Sequence, residues 1–261
     1  NDGRTYYFNS NGDKVTKGGW YHINYDNMVF VTGGGSHYVK ERIYKASGIF
    51  RKYSFNDSKK SWDMNKNLWK NTGRKLMYFD GSGTCTILYD QASNILYRYI
   101  SSSKSYKRVS NVIDKLNGSR YYFYDANGNR RTSSGWKKVN GSTAYYVCDG
   151  GYVTSRYTDQ KGTKKVYDFD YSKNTWVQKK NMWKTVYRSR YYFGSKGVAT
   201  MSYNNSTKKA YKFTGRKWKP AKKLIMKIGN ANYYFNSAAK RVVKAGKYKT
   251  ADGYIAYVNR R

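Results

Sequence analysis

Two histidines (His22, His37), two cysteines (Cys85, Cys148), fourteen aspartates and one glutamate (Glu41) are the groups with which this chain could do acid–base or nucleophilic chemistry. Their spacing serves none. Both histidines lie near the amino-terminal end, with no nucleophile motif around them. There is no His-x-Glu-type metal motif, and the cysteines do not form one either. Paired carboxylates for glycoside chemistry have to be sought among the aspartates, most of which fall in turns, where Asp is expected for structural reasons. The requirements of an active site are unmet, so the expectation is a chain without catalysis, metal or cofactor. Cys85 and Cys148 pair only if their hairpins stack, which the sequence leaves open.

Binding chemistry is better supplied. Sugars present flat apolar faces that lie on aromatic rings, with polar groups fixing orientation. The candidate platforms are Trp20, Trp69, Trp136 and Trp183, with Tyr7, Tyr122, Tyr146, Tyr192 and Tyr234. Most Tyr and Trp in such a chain form core, because large aromatics dominate buried area. A Trp that follows Gly at the end of a unit is the stronger candidate for a ligand face. Arg120, Arg190, Lys137 and Lys138 stand beside these rings and are suited to grip phosphate or carboxylate. Lys and Arg total 51 against 15 acidic residues, a formal charge of +36. Like charges oppose the compact state, so the excess points to a polyanionic partner. Solvated lysine faces account for a mild excess better than for one this large. Aromatic platforms in a basic groove also bind single-stranded nucleic acid without sequence preference. Charge alone gives salt-sensitive DNA binding that is non-specific.

The elements that must position these groups are strands. The chain has 31 Tyr, 24 Gly and one Pro; Tyr favours strands and Gly favours turns. Aromatics make up 18% of residues and recur regularly, which argues against disorder. Tyr6-Tyr7-Phe8, Tyr121-Tyr122-Phe123, Tyr145-Tyr146-Val147, Tyr191-Tyr192-Phe193 and Tyr233-Tyr234-Phe235 each precede a Gly- or Asn-containing turn. Tyr53-Ser54-Phe55, Tyr97-Arg98-Tyr99, Tyr167-Asp168-Phe169 and Tyr211-Lys212-Phe213 alternate as half-buried strands do. Together they read as about twelve hairpin units of about 22 residues. A longer period lies on top: Trp20 matches Trp136, Trp62 matches Trp176, and Trp69 matches Trp183. The expectation is one all-β array over 1–261, repeating as 1–116, 117–230 and a partial 231–261. A super-repeat of five hairpins suits a β-solenoid, where each unit contacts only its neighbours. It suits the alternative, a β-propeller, less well. No apolar run is long enough to span a bilayer. The chain opens at Asn1-Asp2-Gly3 without an initiating Met or signal peptide, which reads as a piece of something longer.

Gly135-Trp136-Lys137-Lys138-Val139-Asn140-Gly141-Ser142-Thr143-Ala144-Tyr145-Tyr146-Val147, followed by Gly150, resembles the cell-wall-binding repeat of Gram-positive bacteria. That family includes choline-binding modules, the glucan-binding repeats of glucansucrases and the C-terminal repeats of clostridial toxins. Asn1 to Trp20 and Asn117 to Trp136 carry the same pattern, and about half the chain has a recognisable motif. The resemblance implies a hairpin solenoid, ligand sites in aromatic grooves between consecutive units, secretion, and attachment to a surface. Choline-binding repeats carry an extra Trp just before the Tyr-Tyr pair; here the place holds Thr5, Arg120, Ala144, Arg190 and Asn232. An Arg in that wall repels a quaternary ammonium, which needs electron-rich ring faces. The glucan-binding and toxin branches are the closer match. The expected partner is therefore a surface polymer: teichoic acid, glucan or a host glycan. Each site is weak and repetition supplies avidity. The alternatives are a structural stalk, a host-glycan adhesin segment and a non-specific single-strand binder.

Overall fold

A computed structural model describes residues 3–259, so Asn1 and Asp2 of the first repeat motif lie outside the described residues. The protein is all-β. Its strands form small antiparallel sheets, none of them closed into a barrel. A 3₁₀ turn at Ser101–Ser103 is the sole helical element among the described residues. Among the described residues, no helix is long and apolar enough to cross a membrane.

Two compact units divide the chain. The first runs to Gly118 and takes in Tyr124–Arg131; the second takes in Ser119–Phe123 and runs on from Thr132. In the first unit, β1 (Gly19–His22), β2 (Asn27–Val31), β3 (Val39–Ala46), β4 (Ile49–Asn56) and β5 (Ser61–Met64) form one meander. A second comprises β6 (Leu68–Asn71), β7 (Lys75–Phe79), β8 (Cys85–Asp90), β9 (Ile95–Ile100) and β10 (Ser105–Arg108). β11 (Val112–Lys115) closes the unit, and β12 (Tyr121–Tyr124) is shared between the two. The second unit holds the meander β13 (Gly135–Lys138), β14 (Thr143–Val147), β15 (Val153–Gln160), β16 (Thr163–Asp170) and β17 (Thr175–Gln178). It continues with β18 (Met182–Val186), β19 (Ser189–Phe193), β20 (Ala199–Asn204), β21 (Ala210–Phe213) and β22 (Trp218–Pro220). The hairpins β23 (Leu224–Ile228)–β24 (Ala231–Phe235) and β25 (Gly246–Lys249)–β26 (Ile255–Val258) complete it. Successive hairpins of the sequence thus merge into five-stranded sheets. The long strands β3–β4 and β15–β16 supply partners on both sides.

Period-two alternation sets which side chains are buried. Along β15, Val153, Ser155 and Tyr157 are buried while Thr154, Arg156 and Thr158 are half exposed. In the first unit, Met28, Ile43 and Phe50 pack on Met77, Phe79, Cys85 and Leu88 of the next sheet. In the second, Val166 packs on Phe193 and Ala199, and Tyr203 and Ala210 pack on Met226, Ile228 and Phe235. Each sheet therefore buries a face against its successor within its unit.

The turns explain the regularity. Gly83 stands at φ +79° and donates its N–H to the Asp80 carbonyl at 2.9 Å; Gly197 stands at φ +69° and donates to Gly194 at 2.8 Å. This left-handed conformation is open to glycine at little cost. A β-bulge accompanies each turn: the register skips Thr86 opposite Tyr78 and Phe79, and Thr200 opposite Tyr192 and Phe193. Both cysteines are free thiols. Cys85 is buried, and burial pushes its thiol up to about 12.

Candidate functional site

Directly opposed residues on antiparallel strands form rows across one face of a sheet. In each five-stranded sheet one row begins with a sequence-predicted Trp. The rows are Trp20, Phe30, Glu41, Ser54, Asp63; Trp69, Tyr78, Ile87, Arg98, Lys107; Trp136, Tyr146, Ser155, Asp168, Val177; and Trp183, Tyr192, Met201, Lys212, Lys219. All four start on a Trp beside an aromatic ring, with centroids 5.3–5.7 Å apart. Their polar ends differ. The first and third rows carry acids, and the second and fourth carry paired cations.

Trp136, Tyr146 and Ser155 of the third row line an open groove of about 660 Å³ within the second unit. Its walls are Trp136, Tyr146, Thr154 and Ser155 from one sheet and Lys184, Thr185 and Tyr187 from the next. Trp136 is fixed by its indole N–H, which donates to the Thr185 carbonyl at 3.0 Å, and by Tyr157 at 6.3 Å. Tyr187 stands 6.4 Å from Trp136 and is 50% exposed. Its backbone lies at φ +53° in the two-residue turn between β18 and β19. The corresponding turn of the first unit has Gly73 there, at φ +82°. A bulky side chain at positive φ is a strained arrangement, and such outliers gather at functional sites.

Asp168 ties together two of the lining residues, Ser155 and Lys184. Its Oδ1 accepts from Ser155 Oγ at 2.6 Å and Lys184 Nζ at 3.1 Å, and Lys179 pairs with Oδ2 at 3.5 Å. Burial alone would raise this carboxyl; the hydrogen bonds and lysine charges outweigh it and hold the group below its usual value.

The first unit builds the same cluster from different residues. Glu41 takes the row position of Ser155, and Ser54 that of Asp168. Lys52 and Asn65 stand where the second unit has Val166 and Lys179. Lys70 Nζ reaches Glu41 at 2.6 Å, and Lys52 reaches it at 3.4 Å. Lys52 is only 3% exposed, and burial lowers its pKa although Glu41 opposes the shift. Each unit thus holds one carboxylate between two lysines, with the acid and one of the lysines supplied from different positions of the repeat. Lys70 also lies 5.2 Å over the Trp20 ring and 5.8 Å over Phe30, a cation on the aromatic platform.

The structure brings some of the sequence-predicted residues together. Trp136 and Tyr146 share a groove, and Trp183 pairs with Tyr192, with Arg190 Cζ 5.9 Å over the Trp183 ring. Trp69 pairs with Tyr78, and Trp20 with Phe30. Tyr7 is half-buried beside Tyr21, centroids 5.4 Å apart. Tyr122 is half-buried on β12, and exposed Arg120 lies 4.4 Å over Tyr152. Lys137 turns to Ser133 Oγ at 3.1 Å, on the sheet face opposite Trp136, and Lys138 is exposed. Tyr234 is 6% exposed; its ring is stacked on Tyr248 at 5.2 Å and its hydroxyl donates to the Lys249 carbonyl. Sequence reasoning missed Tyr187, Lys184 and Asp168. The available signal was Tyr187 in a turn slot that the first repeat fills with Gly73.

No family model matches the chain. It is 26% identical over 232 residues to Glucosyltransferase-I of Streptococcus downei, a match that takes in 74% of this chain. It spans 13% of that relative's length. Among solved structures it is similar to alternansucrase in complex with isomaltononaose, at 16% identity, 97% of this chain, 16% of that one and a TM-score of 0.28. It is also similar to choline binding protein F from Streptococcus pneumoniae, at 17% identity, 98% of this chain, 90% of that one and a TM-score of 0.28.

Proposed function

We propose that this chain is a non-catalytic module that attaches a secreted protein to a surface polysaccharide, through aromatic grooves repeated along a hairpin solenoid. The observation that carries the reading is the Trp136 groove. Three rings, Trp136, Tyr146 and Tyr187, line it together with Ser155 and Lys184, which Asp168 ties to each other. Apolar ring faces beside fixed polar groups are what a sugar ring needs. A tyrosine kept in a left-handed turn, where the sister repeat has glycine, favours a role for its side chain over a role in folding. Sequence similarity to a glucosyltransferase supports a glucan-like partner.

The Trp69 and Trp183 rows are further, weaker sites, and their number provides avidity for a polymer. Trp20 belongs to the set by position, but Lys70 covers it, so the first unit contributes less binding than the second. The reading is tested by retention of the full chain on immobilised dextran, hyaluronan and Gram-positive cell-wall polysaccharide across a salt series. Retention that survives physiological salt and weakens on loss of the Tyr187 ring supports it. Binding to every polyanion that disappears with salt and ignores Tyr187 leaves a stalk whose charge is its only signal.

A further inference from the structure

The fourth row ends in an electrostatic conflict. Lys212 and Lys219 stand directly opposite each other on β21 and β22, both exposed. Among the described residues, neither has a carboxylate partner. Like charges in this position oppose strand pairing. A second bridge, Lys209 to Lys240, repeats the conflict nearby in the chain. Over 171–261 the sequence has 23 Lys and Arg and one acid, Asp252.

The first unit shows how the same problem is relieved internally. Its second row ends in Arg98 opposite Lys107, and Asp114 on β11 accepts two bonds from Arg98, through Nε at 3.0 Å and through Nη2. Aligning Val112–Lys115 on Leu224–Lys227 places Met226 where Asp114 stands, and Met226 is buried in the core. The second unit has the cation pair without that internal anion.

We propose that Lys212 and Lys219 hold a carboxylate of an acidic polysaccharide whose neighbouring sugars lie along Met201 toward Tyr192 and Trp183. The proposal rests on the polysaccharide reading above and adds the charge class of the ligand. Five strands at about 4.8 Å spacing make the row about 19 Å long. The lysine pair is centred about 12 Å from Tyr192 on that spacing, and Met201 between them brings no cation. A polymer with an anion on every residue, as in nucleic acid, sets charges against Tyr192 and Met201. A chain with neutral sugars between its carboxylates matches the order of the row.

The test compares retention of the full chain on hyaluronan, on dextran of equal length and on single-stranded DNA, at physiological salt. Hyaluronan is expected to be retained most strongly. The double variant Lys212→Gln/Lys219→Gln should lower its retention at least fivefold, and more than that of dextran. Lys219→Glu supplies the missing internal anion, so it should raise the melting temperature and abolish hyaluronan retention, which separates loss of binding from loss of fold. Unchanged hyaluronan retention in both variants, with dextran still held through Tyr187, overturns the proposal and leaves the polysaccharide reading standing. Failure to hold either polysaccharide overturns both. Lysine-dependent preference for DNA over hyaluronan overturns the acidic-sugar assignment in favour of a nucleic acid.

Discussion

Replacing Tyr187 with Gly separates binding from stability. A bulky L-residue at φ +53° costs roughly 1–2 kcal/mol, which glycine releases. Glycine's extra unfolded-state freedom returns about 0.5–1 kcal/mol of that. Loss of the ring's contact with Trp136 costs a further ~0.5–1.5 kcal/mol. The three nearly cancel, so the variant should unfold within about 1 kcal/mol of the parent. Binding has no such compensation. Half of the Tyr187 side chain is exposed. A sugar that covers about 50 Å² of it gains ~1.2 kcal/mol, about eightfold in affinity. Titration with a short isomalto-oligosaccharide, followed by tryptophan fluorescence, avoids avidity and measures that single contact. Denaturant melts of the same samples measure stability. An affinity unchanged within twofold, or a stability loss beyond 2 kcal/mol, would refute the claim that the strained turn exists to present this ring.

Three further outcomes follow from the geometry. The buried clusters should show a compensating exchange: Lys52→Val destabilises by leaving Glu41 with fewer partners, and Asn65→Lys restores part of the loss. A double-mutant cycle on melting should give a coupling of about 1–2 kcal/mol. In acid, Asp57 is held at about 2, first by its hydrogen bond from Lys40 and then by Tyr38, and Asp168 is also lowered. Carboxyls depressed in the folded state stabilise it above their unfolded value near 4. That contribution is lost as pH falls through the folded values, so melting temperature should hold down to about pH 4 and drop between there and pH 2. A thiol-reactive dye should label Cys148 in the native protein and Cys85 only after unfolding, because Cys85 is buried with its thiol pushed up to about 12.

Much of the fold was legible because its signals are local. Tyr-Tyr-Phe before a Gly turn specifies a strand, a positive-φ corner and a bulge, all within a few residues. The Trp of each repeat was found from spacing, and the fold pairs Trp136 with Tyr146 and Trp183 with Tyr192 as register requires. What escaped depends on distance in sequence. Lys70 reaches Glu41 and Trp20 from another sheet, and Lys184 reaches Asp168 across the groove. Alternation decides that Trp136 and Lys137 face opposite sides, so a lysine adjacent in sequence is absent from the groove while Lys184, far along the chain, lines it. Tyr234 has the same motif as Tyr146 but lies under Tyr248, because the hairpin that follows it covers its face.

The most direct measurement is a map of the tryptophan indole ¹H–¹⁵N signals of the full chain during titration with isomalto-oligosaccharides. Trp136 donates its indole N–H to Thr185 at the groove wall and should shift first and furthest, while Trp20, covered by Lys70, moves little. Binding that leaves the Trp136 signal in place, or that moves every indole equally, would contradict the account.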